Sequence, residues 1–145
     1  MPKGLLLALT LLLLMLAGAP ARADDSLYRA LGGAAVLRPM MDEFVGRLAA
    51  DRRIARFFEK TNREELAAQL TAQVCQLSGG PCAYEGPTMR QAHEGMEVRR
   101  ADFNALVELL QVTMDARGVP VRAQNRLLAL LAPMHRDIIE PPQPQ

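Results

Sequence analysis

Along most of this chain apolar residues recur at intervals of three and four, the period of a helix with one buried face. Leu37, Met41, Phe44, Val45 and Leu48 form such a face over about residues 34–50. Pro39 falls inside that pattern and should remove a backbone bond and bend the helix, unless the helix starts later. Ahead of it, Leu27–Leu31 reads as a short helix that Ser26 can cap and Gly32-Gly33 ends. Ile54–Phe58 is a short apolar connector closing on a Phe pair. Thr61-Asn62-Arg63-Glu64 has the form of a capping box and predicts a helix with Leu66, Leu70, Gln73, Val74 and Leu77 on one stripe. Gly79-Gly80 stops it, and residues 79–88, rich in Gly and Pro, read as a loop. A short helix should carry Met89–His93. A longer one, Ala101–Ala116, turns Phe103, Leu106, Val107, Leu110 and Met114 inward. Gly118 ends it and Pro120 opens the last helix, whose stripe is Leu127, Leu128, Leu130, Leu131, Met134, Ile138 and Ile139, with a kink expected at Pro133. Runs of Val, Ile, Thr and Tyr are absent, so the expected class is all-α.

The first residues follow another rule. Lys3, an apolar run from Leu5 to Ala17 and the small-x-small triplet Ala21-Arg22-Ala23 have the form of a cleavable export signal. The run is short of the roughly 20 residues a spanning helix needs, so no membrane attachment is expected after cleavage. The expected organisation is a signal peptide at 1–23, one helical domain at 24–140 and a disordered Pro/Gln tail at 141–145. The full chain carries a formal charge of +1. Removing Lys3 and Arg22 leaves 15 basic against 16 acidic residues, a mature charge of −1. With no basic face, nucleic acid is an unsuitable partner. Localisation follows: exported, and periplasmic in a Gram-negative cell.

Composition narrows the chemistry. Half the residues are hydrophobic but only 4% are aromatic, so the core must be Leu, Val, Ala and Met. There are two histidines. His93 follows the Gly/Pro loop, where a neutral imidazole can serve as a ligand to a metal or a haem iron; a hydrogen-bonded core or surface histidine is the plainer alternative. His135, beside Arg136, reads as a surface residue. Cys75 and Cys82 flank the Ser78–Pro81 turn, and in an exported chain a disulfide between them is expected, with two free buried thiols as the alternative. Two thiols with no second pair nearby do not make a zinc site.

The pieces Leu27-Tyr28-x-x-Leu31-Gly32-Gly33, Asp42-Glu43-Phe44, Phe57-Phe58, Leu77-x-Gly79-Gly80-Pro81, Tyr84-x-Gly86, Met89-Arg90-x-Ala92-His93-x-Gly95, Asp102-Phe103, Gly118-Val119-Pro120 and Leu131–Met134 stand in one collinear order. In that order the chain resembles the truncated haemoglobins, most closely their first group. The resemblance implies a two-over-two sandwich of helices around haem b, with His93 as the proximal iron ligand. It implies that Phe58 packs on the haem face and that Met89, Val98, Phe103 and Val107 line the proximal side. Arg90, Arg99 and Arg100 are the candidates for the haem propionates. The distal side departs from the family. Val45 stands where many relatives place a Tyr, and Leu66 and Leu70 stand where polar residues occur. Gln69 and Gln73 are the polar side chains nearest that face, and Val74 matches an aromatic gate of the ligand route. The distal pocket is therefore expected to be apolar. Cys75, nine positions after Leu66, should lie on the side of its helix away from the haem.

Three functions remain open at this point. The first is a monomeric haem protein that binds a diatomic gas (oxygen, carbon monoxide or nitric oxide). The second is a haem redox enzyme consuming nitric oxide or peroxide; with no flavin or nicotinamide motif, it would need an external electron donor. The third is a haemless helical interaction module.

Overall fold

A computed structural model describes residues 24–139. The expected signal segment and the Pro/Gln tail lie outside the described residues. Among those described the fold is entirely helical. Helix α1 spans Ser26–Ala30, α2 Gly33–Ala50, α3 Arg63–Leu77, α4 Met89–His93, α5 Arg100–Ala116, α6 Val121–Leu131 and α7 His135–Ile138. Ala55–Phe58 and Ala132–Met134 are single 3-10 turns. The dominant packing is α2 on α3, with α5 laid against α2 and α6 against α5, which gives two helix pairs one over the other.

The core follows the predicted stripes. Leu37, Met41, Phe44, Val45 and Leu48 are buried on α2, with Met40 beside them. Leu110 and Met114 of α5 and Leu127 of α6 close the core from the other layer. The α1–α2 corner depends on Gly32, whose φ of +97° is open to glycine and whose Cβ would collide with Val36. The chain then stays helical through Pro39. Ala35, whose carbonyl loses its partner there, is exposed, so water can take the place of the missing N–H.

Several local expectations shift. Ser26 is the first helical residue rather than the cap, and its N–H donates to Asp24 Oδ1 at 3.0 Å. The cap of α3 falls one residue later than the Thr61 box: Asn62 Oδ1 accepts the Glu65 N–H at 3.2 Å. Either residue type can cap, and the choice rests on where the 3-10 turn delivers the chain. The final helix does more than kink at Pro133; it breaks into α6, a 3-10 turn and α7. Leu130, placed on the inner stripe from the sequence, is 40% exposed, because α6 turns Leu127 fully inward and Leu130 falls beyond the edge of that face.

A disulfide joins Cys75, near the end of α3, to Cys82 in the loop, with Cα atoms 5.7 Å apart. The N-terminal segment packs over the start of this loop. The Tyr28 N–H donates to the Ser78 carbonyl at 3.0 Å, and a side chain at Gly79 would strike the Asp24 carbonyl.

Candidate functional site

The two layers do not close on each other completely. Between them lies a cavity of about 770 Å³, within the usual range for a cofactor site. Its wall is mostly hydrocarbon and thioether. Helix α2 gives Met41, Phe44 and Leu48; the 3-10 turn gives Phe57 and Phe58; α3 gives Leu66, Gln69, Leu70, Gln73 and Val74. The opposite wall is Met89 and His93 of α4, then Val98, and Phe103, Leu106, Val107 and Leu110 around α5. Leu128, Leu131 and Met134 close the end.

His93 is the chemically distinctive group on this wall. Its Nδ1 lies 2.7 Å from the Met89 carbonyl oxygen. A carbonyl only accepts, so Nδ1 carries the proton and donates. The neutral ring then keeps a lone pair on Nε2, the atom a metal would take. Met89 belongs to the same short helix, so α4 orients its own histidine. A two-way cap starts that helix: Thr88 Oγ1 accepts the Gln91 N–H, and Gln91 Oε1 accepts the Thr88 N–H. Arg90 ties α4 outward to Asp137 of α7 at 2.7 Å.

Polar groups on the wall are few. Gln73 is buried, and its amide donates to the sulfurs of Met89 at 3.5 Å and Met134 at 4.0 Å. The Gln69 amide donates to Glu65 Oε1 at 3.5 Å. Tyr84 and Asp102 also line the cavity. Burial pushes the Tyr84 phenol above its usual pKa, and its hydroxyl donates to the Pro87 carbonyl at 2.7 Å. Burial works against the Asp102 carboxylate, yet the Arg99 N–H and the Arg56 guanidinium, at 2.9 and 2.8 Å, outweigh it and hold the pKa below the usual range. Arg56 also lies over the Phe57 ring at 4.2 Å.

The chain matches the bacterial-like globin family over residues 26–140. It is 34% identical over 98 residues to the group 1 truncated hemoglobin of Tetrahymena thermophila, covering 68% of this chain and 81% of that protein. The protein belongs to the group 1 truncated hemoglobins. Its fold matches the crystal structure of Tetrahymena pyriformis truncated hemoglobin in the Fe(III) form with a TM-score of 0.76 at 29% identity, covering 79% of this chain and 98% of that one. The cyanomet 2/2 hemoglobin from Synechococcus, with covalently attached heme, matches with a TM-score of 0.72 at 26% identity over 78% of this chain and 97% of that one. As a truncated globin the protein takes haem, and its residues fit that group. Among the described residues no three His, Cys, Asp or Glu side chains converge on a metal site. A lone imidazole on an apolar wall suits an iron whose other ligands come from a macrocycle. A haemless module would have no use for such a cavity.

Of the residues singled out from the sequence, Phe58, Leu66, Gln69, Leu70, Gln73, Met89, His93, Val98, Phe103 and Val107 all line the cavity of this globin. Two do not. Val45 is 1% exposed but stands behind the wall. It falls about 100° round α2 from Phe44, on the opposite flank of the Met41–Leu48 line. Arg90 is exposed and engaged by Asp137 rather than facing the cavity. Arg99 and Arg100 are likewise exposed. His135 is half-buried rather than a plain surface residue; its ring meets Phe103 edge-on at 6.4 Å, and it stays off the wall. Cys75 is buried away from the cavity, in the bridge. The sequence reading left Phe57, Asp102 and Tyr84 unassigned. The Phe57-Phe58, Tyr84-x-Gly86 and Asp102-Phe103 pieces contain them but carry no role for them.

Proposed function

We propose that this protein binds a diatomic gas at the iron of a b-type haem ligated by His93, and that it does so as a monomer outside the cytoplasm. When bound, haem would supply an iron that the His93 imidazole could hold and that a gas could bind. The observation that carries the reading is the His93 ring, set on the cavity wall with Nδ1–H committed to Met89 and Nε2 left as the donor. Phe57, Phe58, Val98, Phe103 and Val107 would hold the macrocycle by apolar contact. Leu66 and Leu70 offer no hydrogen-bond donor on the other side, which favours weakly polar ligands over those that need a polar clamp. Export is supported by the N-terminal charge–apolar–small pattern, and by a bridge that leaves neither cysteine free. A return from the ferric state would need an external electron donor.

The test of the ligand is a pair of substitutions. Removing partners one shell out from a metal already costs about 10–100-fold in affinity. His93→Ala should therefore weaken haem binding more than about a hundredfold, while His135→Ala leaves the ferrous–CO absorption spectrum unchanged. A normal His93→Ala spectrum without added imidazole would refute the assignment. Mass measurement of protein recovered from the periplasm tests the export half; it should begin at Asp24.

A further inference from the structure

We propose that the Cys75–Cys82 disulfide is an oxidation-set latch on haem retention, acting through the loop that carries His93. The proposal rests on His93 holding the iron. Helix α4 has five residues, too few to persist as a helix alone. It packs mainly on α7, a four-residue helix near the end of the described chain. Its other side-chain ties are weak: an exposed pair from Arg90 to Asp137 and the thioether contact from Gln73 to Met89. The chain between α3 and α4 has no regular structure. The disulfide is the one covalent cross-link between this stretch and the body of the fold.

Its two ends differ in a way that suits a latch. Cys75 is 1% exposed in the core, so its position is set by α3. Cys82 is exposed on the loop, where a redox partner can reach the bridge. Beyond Cys82 the loop is held by the Tyr84 N–H on Gln76 Oε1 at 2.6 Å and by the Tyr84 hydroxyl on Pro87. Tyr84 and Pro87 line the cavity themselves. Opening the bridge therefore loosens part of the cavity wall together with the backbone leading to His93.

The chemistry balances as a thiol–disulfide exchange. Two thiols, Cys75 and Cys82, lose two protons and two electrons to the disulfide of a partner dithiol protein, which leaves as its dithiol. The reverse reaction uses a reduced dithiol. By linkage the coupling is mutual: if the bridge tightens haem binding, bound haem resists reduction of the bridge by the same factor. Haem captured before the cysteines are oxidised is held loosely, and oxidation after export secures it.

The experiment follows haem transfer from the loaded protein to excess apomyoglobin. Cys82→Ser opens the bridge at its exposed end and leaves the buried end in place. Its haem should leave about tenfold faster than from the oxidised wild type, with the helical circular dichroism unchanged. Rates within about twofold of each other would overturn the latch. Should Cys82→Ser misfold, hydrogen exchange on wild type loaded with zinc protoporphyrin, before and after dithiothreitol, replaces it. Residues 83–96 should then exchange faster on reduction while α2 and α5 do not; no change at 83–96 overturns the proposal. His93→Ala in the transfer assay separates the two readings. If it retains haem like wild type, ligand and latch both fail. If it sheds haem while Cys82→Ser does not, the latch alone fails.

Discussion

At the scale of single residues, the cavity's polarity depends on two glutamines. Both Gln69 and Gln73 line it; Gln69 gives its amide to Glu65, and Gln73 gives its amide to the thioethers of Met89 and Met134, which line the cavity too. A neutral hydrogen bond is worth about 0.5–1.5 kcal/mol net, and 1.4 kcal/mol is about tenfold in a rate or equilibrium. With both amides already engaged, on Glu65 and on the two thioethers, oxygen should leave the ferrous protein fast, and carbon monoxide should be favoured over oxygen. Stopped-flow oxygen dissociation should change by less than about twofold in Gln69→Leu and in Gln73→Leu. Val45→Tyr should not slow it, because position 45 stands behind the wall. A several-fold acceleration in either Gln variant would show that its amide reaches the ligand.

At the scale of elements, α4 matters most relative to its length. Its cap is reciprocal, and each half satisfies an N–H that a short helix otherwise leaves open. Losing a Thr cap costs about 1 kcal/mol. Here that cost falls on the segment bearing His93 rather than on the main core. Thr88→Ala should therefore speed haem transfer about fivefold, and Thr88→Ser should restore it. A rate equal to wild type in Thr88→Ala would mean that α4 is held by its packing on α7 instead. The cap is present in the sequence as Thr88-x-x-Gln91, but the end of a Gly/Pro loop hid it. By contrast, the Thr61 box was readable and misleading, since Asn62 one position on can do the same work.

At the scale of the whole molecule, carboxylates join the layers. Asp102 receives Arg56 from the 3-10 turn, and Glu43 on α2 accepts from Arg47 at 2.6 Å and from Arg117, beyond the end of α5, at 2.7 Å. Hydrogen bonds from Arg47 and then Arg117 hold the Glu43 pKa below the usual range, as Arg99 and Arg56 do for Asp102 against its burial. A lowered folded-state pKa gives stability that is present above the unfolded value and is lost as pH falls through the folded one. The thermal midpoint should thus decline below about pH 4, where free carboxylates titrate. Asp102→Asn should be less stable than wild type at neutral pH and show a shallower acid limb. Parallel limbs in a series of melts from about pH 3 to 7 would remove Asp102 from that role.

What the sequence by itself determined is local. Helical periodicity, the Gly/Pro loop at 79–88, a histidine straight after it and two cysteines seven positions apart are each properties of a few neighbouring residues. Their collinear order was enough for the all-α class and the globin family. What only the tertiary structure decided is rotational and long-range. Whether Val45 or Phe44 faces the cavity depends on how α2 is turned against α3, a matter of about 100° that a stripe of apolar residues does not specify. Arg90 finds Asp137, Asp102 finds Arg56 and Gln73 finds two methionines across gaps of 16 to 61 positions. Such pairings arise only once the layers are stacked, because it is the stacking that brings distant side chains within hydrogen-bond reach.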